Sequence, residues 1–294
     1  MKHPAPRADR AQKTVFSDPL AEVLRPGQSV ELLKELHILT RDGRLNQDSR
    51  RKLKQVYHLC HFIEPLLDEV LDRQGRLTLA DHGAGKSYLG FILYDLYLKE
   101  REGAHIFGIE TRDELVEKSR ALAARLGFPR MSFLDVTVAE SIGSAQLPPT
   151  VDIVTALHAC NTATDDAIQF ALAKKARHIV LVPCCQAEVA AVLRKNKNAS
   201  FGKTPLSEIW RHPLHTREFG SHLTNVLRCL QLESHGYQVT VTELVGWEHS
   251  LKNELIVATH TGAAPRNAAE RLRAILQKLN LQELEARFLK TPPE

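Results

Sequence analysis

The stretch Leu77-Thr78-Leu79-Ala80-Asp81-His82-Gly83-Ala84-Gly85-Lys86-Ser87-Tyr88 decides the fold. A short apolar run is closed by an acid and two glycines and then opens into a helix. Glycine lacks a Cβ, so at Gly83 and Gly85 the backbone can turn tightly and bring a ligand close to the first amides of that helix. A Walker A loop would need glycine at Ala80, and a dinucleotide fingerprint would need a small residue at Tyr88. Both phosphate-binding readings therefore fail at a named position, and glycines that merely permit a turn remain the plain alternative.

The residues that follow argue for more than a turn. Ala104 to Ile109 reads as a second buried strand, and it ends at Glu110, about 25 residues after the turn, where an acid that bonds a ribose is expected in βαβ nucleotide folds. The alternative role for Glu110 is an ordinary acid at the N-terminus of the next helix, Asp113 to Leu126. A third strand, Arg130 to Leu134, leads to Asp135, whose carboxylate can accept an adenine amino group. Asp81 repels a phosphate but attracts an ammonium and a sulfonium. The ligand that suits Asp81, Gly83, Ala84, Gly85, Glu110 and Asp135 together is S-adenosylmethionine.

Two further strand ends carry reactive groups. Val151 to Leu157 runs into His158-Ala159-Cys160-Asn161-Thr162-Ala163-Thr164-Asp165, and His178 to Val182 ends in Pro183-Cys184-Cys185-Gln186. Ligands of open α/β sheets lie beyond the carboxyl ends of the strands, so Leu157 and the loop after it should face the cofactor. His158 is the candidate general base for a hydroxyl acceptor, since imidazole takes up a proton near neutral pH. Its alternative role is to shape the loop. Asp165 is expected as a helix cap more than as a catalyst. Cys160 and Cys184 offer a competing chemistry, attack on a pyrimidine ring, but Cys160 lacks the preceding proline of cytosine C5 methylases. Zinc held by His158, Cys160, Cys184 and Cys185 is disfavoured, because adjacent cysteines in an extended chain point apart.

With these elements the sequence resembles a known family. Asp81-His82-Gly83-Ala84-Gly85-Lys86, the Leu157-His158-Ala159-Cys160 loop with Ala163-Thr164-Asp165, and the Cys184-Cys185 pair look like the class I methyltransferase domain of methyltransferase-like proteins of the Trm13-related group, also found in the glutathione-S-transferase C-terminal-domain-containing protein. The likeness spans roughly Asp48 to Thr261. It implies a doubly wound, seven-stranded Rossmann-like α/β sheet, S-adenosylmethionine as cofactor and, from the Trm13 branch, methylation of a tRNA ribose 2′-hydroxyl. Asn161 stands where that pattern has glycine, and Gln186 where the Trm13 branch has histidine.

Composition agrees with one sizeable α/β core. The chain has 294 residues, 43% of them hydrophobic, and single α/β domains often reach 200–250 residues. The expected organisation is an N-terminal tail and helical extension over 1–75, the methyltransferase domain over 76–262 and a C-terminal helix over 263–294. The extension should be a short helix, Glu31 to Leu39, then a longer one from a cap at Asp48 or Ser49 to about Leu71, kinked or divided at Pro65. Glu188 to Lys197 and Thr216 to His235 read as helices, Tyr237 to Leu244 with Leu255 to His260 as a closing strand pair, and Asn267 to about Leu289 as one amphipathic helix.

No window approaches the roughly 18 apolar residues of a membrane span, and Met1-Lys2-His3-Pro4 lacks a signal-peptide core, so the expectation is a cytosolic protein without a membrane partner. Five cysteines suit reduced thiols better than a disulfide framework.

The net charge of +4 is modest, but its distribution is uneven. Between Ala171 and Arg217 nine Lys or Arg stand against two acids. Arg194, Lys195, Lys197 and Arg211 of this insertion are the candidate contacts to a phosphate-bearing partner such as structured RNA. Trp210 and Phe201 lie in the same stretch and can stack on bases or form its local core. Arg50, Arg51, Lys52 and Lys54 make a second cluster, with a solvated helix face as the equal alternative. Two other readings stay open: a methyltransferase of a protein side chain or small metabolite, and a non-catalytic RNA-binding protein on the same fold.

Overall fold

The computed structural model describes residues 23–157, 161–183, 186–196, 205–244, 254–263 and 267–289. Their order is α1 (Val30–Glu35), α2 (Gln47–Gln74), β1 (Leu77–His82), α3 (Tyr88–Leu93), β2 (Ala104–Glu110), α4 (Asp113–Leu126), β3 (Met131–Asp135), α5 (Val138–Gly143), β4 (Ile153–Leu157), α6 (Ala163–Ala173), β5 (His178–Val182), α7 (Glu188–Lys195), α8 (Pro213–Ser234), β6 (Tyr237–Glu243), β7 (Glu254–His260), α9 (Ala268–Lys278) and α10 (Glu285–Phe288). The seven strands form one sheet in the order β3-β2-β1-β4-β5-β7-β6. Strands β1 to β5 pair in parallel, and β7 runs antiparallel to both β5 and β6. This is the doubly wound sheet of class I methyltransferases. The strand order reverses between β1 and β4, so the switch point falls beside the glycine turn, where open α/β sheets bind ligands.

Both faces of the sheet are covered, and the strands show it by a period of two. On one face Leu77, Leu79, Ile153, Val180 and Val182 join the core of α1, α2 and α3; on the other Ala80, Val154, Ala156, Ile179 and Leu181 meet Ala167, Ile168 and Phe170 of α6. Every residue of β5 is buried, as expected of a central strand covered on both sides. Each fully buried large aliphatic side chain contributes about 1.5–3 kcal/mol relative to exposure, so this two-faced burial dominates the stability of the domain.

Helix α2 differs from its sequence reading in three ways. Its N-cap is Asn46, whose side chain accepts from the Ser49 amide at 2.7 Å. It runs without interruption through Pro65 to Gln74, and it stops at Gly75, which is left-handed at φ +67°. Pro65 lies on the exposed face, where water can serve the carbonyl that the missing N–H leaves free. Ile63, Leu67 and Val70 stay in the core on either side. Glu69 clasps the helix to the foot of β5, accepting from Arg177 at 3.1 Å and meeting His178 at 2.5 Å.

The C-terminal segment is also not one helix. Helix α9 ends near Leu279, and Asn280 takes a left-handed φ of +52°. The chain reverses there and enters a 3-10 turn, Gln282–Leu284, before α10. The break lets Leu272, Leu276, Leu281, Leu284 and Phe288 share one cluster with Leu223, Leu227 and Leu230 of α8. Asn is the non-glycine residue best suited to that conformation. Among the described residues no helix is long and apolar enough to cross a membrane.

Candidate active site

The ends of β1, β2 and β3 meet as the sequence spacing predicts. Asp81 pairs with Gly108, and Glu110 lies directly opposite Asp135. Between β1 and α3 the chain makes a left-handed turn, with φ of +61° at Gly83 and +56° at Gly85, and Ser87 follows at +50°. Conformations of this kind cost a residue with a Cβ of the order of 1–3 kcal/mol, which is why glycine occupies the first two. Leu157 closes β4, half-buried, two strands from Glu110.

Glu110 is the hub of the turn. Its Oε2 accepts from the Gly85 amide at 2.8 Å and from Arg112 Nη2 at 3.0 Å, while Oε1 accepts from Arg112 Nε at 2.9 Å and from the Thr111 and Arg112 amides. Burial works to raise its carboxyl, but the Arg112 guanidinium and the Gly85 amide outweigh it and hold Glu110 below the ordinary carboxylate range. It is therefore an anion at neutral pH, aimed across the turn. Asp135, by contrast, is exposed at the end of β3.

Asp81 is fully enclosed and accepts from the Thr155 hydroxyl of β4 at 2.7 Å. Burial pushes its carboxyl up to about 6, against the opposing effect of that hydroxyl. A cationic group arriving beside it would favour the ionised form. Its neighbour His82 points to the other face of the strand, against the Phe170 ring at 4.2 Å. Both imidazole nitrogens are buried without a partner, and burial holds the ring down to about 3. His82 is a neutral packing group.

The β4 side of the site is organised by a buried arginine that sequence reading had not singled out. Arg228 of α8 is 1% exposed. Its Nε and Nη2 donate to the two oxygens of Asp165 at 2.7 and 2.9 Å, Nη2 also reaches the Asn161 carbonyl at 2.9 Å, and Nη1 reaches Asn225 Oδ1 at 3.1 Å. Gln186, just after β5, donates to the same Asn225 oxygen at 2.9 Å. Arg287 of α10 approaches Asp165 at 3.6 Å and pairs with Glu188 at the start of α7. One cation thus ties the chain after β4 to the chain after β5.

Asp165 is placed differently from its expected capping role. It is the third residue of α6, which shows no side-chain cap at Thr162, and both its oxygens are engaged by Arg228. Asn161 is left-handed at φ +54°, a conformation that glycine adopts most easily. His158, Cys160, Cys184 and Cys185 lie outside the described residues. Of the remaining thiols, burial pushes Cys60 and Cys229 up to about 12, so both are inert.

The basic insertion is less free than its sequence suggests. Lys195 pairs with Glu283 at 3.1 Å, Arg211 with Glu208 at 3.3 Å, and Arg217 with Glu218 at 2.8 Å. Arg194 is exposed at the end of α7, and Lys197 lies outside the described residues. Trp210 packs edge-on to Phe219 at 5.6 Å in the local helical core.

Residues 51–192 match the model of a family described as a methyltransferase domain. Solved structures similar to the chain include precorrin-6y C5,15-methyltransferase from Geobacter metallireducens (18% identity, 63% of this chain and 80% of that one, TM-score 0.38). Magnesium protoporphyrin IX methyltransferase from Synechocystis with bound S-adenosylhomocysteine (15%, 79% and 93%, 0.43) and an rRNA methylase from Streptococcus thermophilus (11%, 68% and 95%, 0.42) are also similar. A search of curated proteins finds no match. The left-handed glycine turn, the anionic Glu110 and the buried Asp81 fit an adenosyl cofactor with an amino-acid tail. With the matched domain and the sheet order, they make this chain an S-adenosylmethionine-dependent methyltransferase.

Proposed function

We propose that the chain methylates a hydroxyl of structured RNA, a tRNA ribose 2′-hydroxyl in the first instance, and that it works in the cytoplasm. The observation that carries this reading is the anchored segment after β4. Arg228 fixes the Asn161 carbonyl and Asp165, and Asn161 directly follows His158-Ala159-Cys160 in the sequence. Methyl transfer from a sulfonium is an in-line displacement, so the protein's task is to orient the acceptor and help remove its proton. In this reading Asp81, Gly83, Ala84, Gly85, Glu110, Asp135 and Leu157 hold the cofactor. His158 is the base, and Arg194, Lys195, Lys197 and Arg211 border the acceptor. Asp165 holds Arg228, which in turn fixes the chain at Asn161. The likeness to the Trm13-related group supports the 2′-hydroxyl.

A second reading, a small-metabolite or protein acceptor, is favoured by the ion pairs that neutralise Lys195, Arg211 and Arg217. Incubation with tritiated S-adenosylmethionine and fractionated RNA, protein and metabolite extract separates the two. Label recovered in 2′-O-methylnucleosides supports the first reading, and label confined to protein or small molecules supports the second.

A further inference from the structure

The two cationic clusters of the sequence have different fates in the fold. Among the described residues of the insertion, Arg177, Lys195, Arg211 and Arg217 pair with acids, and Lys174 is buried with its ammonium on the Pro148 carbonyl at 3.1 Å. On α2, Lys52 pairs with Asp48 at 2.8 Å. Arg50, Arg51 and Lys54 are exposed, with no acidic partner within 4.0 Å among the described residues.

Arg50, Lys54, His58 and His61 follow one another at helical spacing, so they form a single stripe along α2. The stripe covers about three turns, roughly 16 Å. It lines a concave groove of about 370 Å³, with Tyr57, Leu53 and Val23 as its other walls. Tyr57 is held in place by its hydroxyl on Gln28 and by the Arg25 guanidinium 5.2 Å from its ring centre. Phe62 meets the His58 ring edge-on at 5.1 Å. The groove thus carries two cations without an acidic partner among the described residues and three heteroatom-bearing rings.

We infer that this groove is a docking site for the phosphate backbone of the RNA acceptor, an inference that rests on the RNA reading above. Charge decides the occupant. The residues before Val23 carry four Lys or Arg against three acids, so that segment brings no excess of negative charge. A membrane-binding helix needs apolar side chains beside its cations to enter the interface. Here Leu53, Leu59 and Ile63 are buried in the domain core. A polyanion with spaced phosphates and stackable bases matches the stripe, its phosphates on Arg50 and Lys54 and a base against an imidazole or Tyr57.

The test is titration of the full chain with total tRNA at several salt concentrations, for wild type, R50E/K54E and a control reversal on α9, R273E/K278E. The inference expects affinity to fall at least tenfold in R50E/K54E. The slope of log affinity against log salt should be shallower by about two. S-adenosylmethionine affinity and the control should stay within twofold of wild type. RNA binding unchanged in R50E/K54E would overturn the groove and leave the RNA reading standing. No RNA binding by wild type would remove that reading itself, and with it the inference. Wild type that binds phosphatidylserine vesicles in place of RNA would also overturn it. Photocrosslinking to 4-thiouridine-containing tRNA tests the wild-type fold directly: adducts in residues 50–61 support the groove, and adducts confined to 186–217 overturn it.

Discussion

Glu110 Oε2 accepts the Gly85 amide at 2.8 Å, joining the end of β2 to the glycine turn after β1. A single carboxylate therefore holds the turn in shape and presents a negative edge in the proposed ribose position. Replacing Glu110 with alanine removes both functions. We expect the affinity for S-adenosylmethionine, measured calorimetrically, to drop at least about tenfold, the equivalent of roughly 1.4 kcal/mol. Unchanged affinity would move the ribose contact elsewhere.

Arg112 competes for that carboxylate. Its guanidinium makes a two-pronged contact with Glu110 although its own side chain is 65% exposed. An exposed pair of this kind contributes about 0.2–1 kcal/mol. R112A should therefore free Glu110 for the ribose and tighten cofactor binding by up to about fivefold. Weaker binding would mean that Arg112 aligns Glu110 and does not obstruct it.

In the proposed site, Asp81 should make cofactor binding depend on pH. With its carboxyl pushed up to about 6 by burial, the folded apoprotein keeps a proton that the unfolded chain loses near pH 4. Its contribution to stability is present at low pH and is lost as pH rises from about 4 through 6. A ligand ammonium selects the ionised form, so S-adenosylmethionine should bind more tightly as pH rises from 5 to 7, with proton release, and level off above. D81N should flatten that profile. A pH-independent affinity in wild type would separate Asp81 from the ammonium.

Arg228 and Asp165 form an ion pair that is almost completely buried. Removing one partner leaves the other charge unpaired in the interior, at a cost of about 3–5 kcal/mol. R228M should lower the melting temperature strongly, and D165L added to R228M should recover part of the loss. A thermal shift near zero for R228M would show that the pair is not needed for the fold.

The two chemistries proposed for the strand ends diverge under mutation. If His158 is the base for a hydroxyl, H158A should lose about 10²-fold or more in turnover, and C160S/C184S should keep substantial activity. Ring attack demands the thiols. A covalent adduct of wild type on 5-fluoropyrimidine RNA, absent in C160S/C184S, would establish that chemistry in place of the first.

The sequence by itself determined the local order and brought out the strand ends of the proposed cofactor site. An apolar run with period two, an acid and a glycine must form a strand and a tight turn, because Cβ sterics and backbone hydrogen bonding act over a few residues. Asp81, Glu110 and Asp135 at the ends of β1, β2 and β3, and Gly83 and Gly85 in the turn after β1, were legible for that reason. The tertiary structure decided what pairs across long separations. Thr155 on Asp81, Arg228 on Asp165 and Glu69 on His178 span 74, 63 and 109 residues, and no local pattern encodes such partners. Pro65 within one continuous α2 and the break at Asn280 followed the same logic, since burial of Ile63 and Leu67 on one side, and of Leu281 and Phe288 on the other, outweighed local preference. The charge clusters show it most plainly: sequence counted cations, and only the fold revealed which of them have acids beside them.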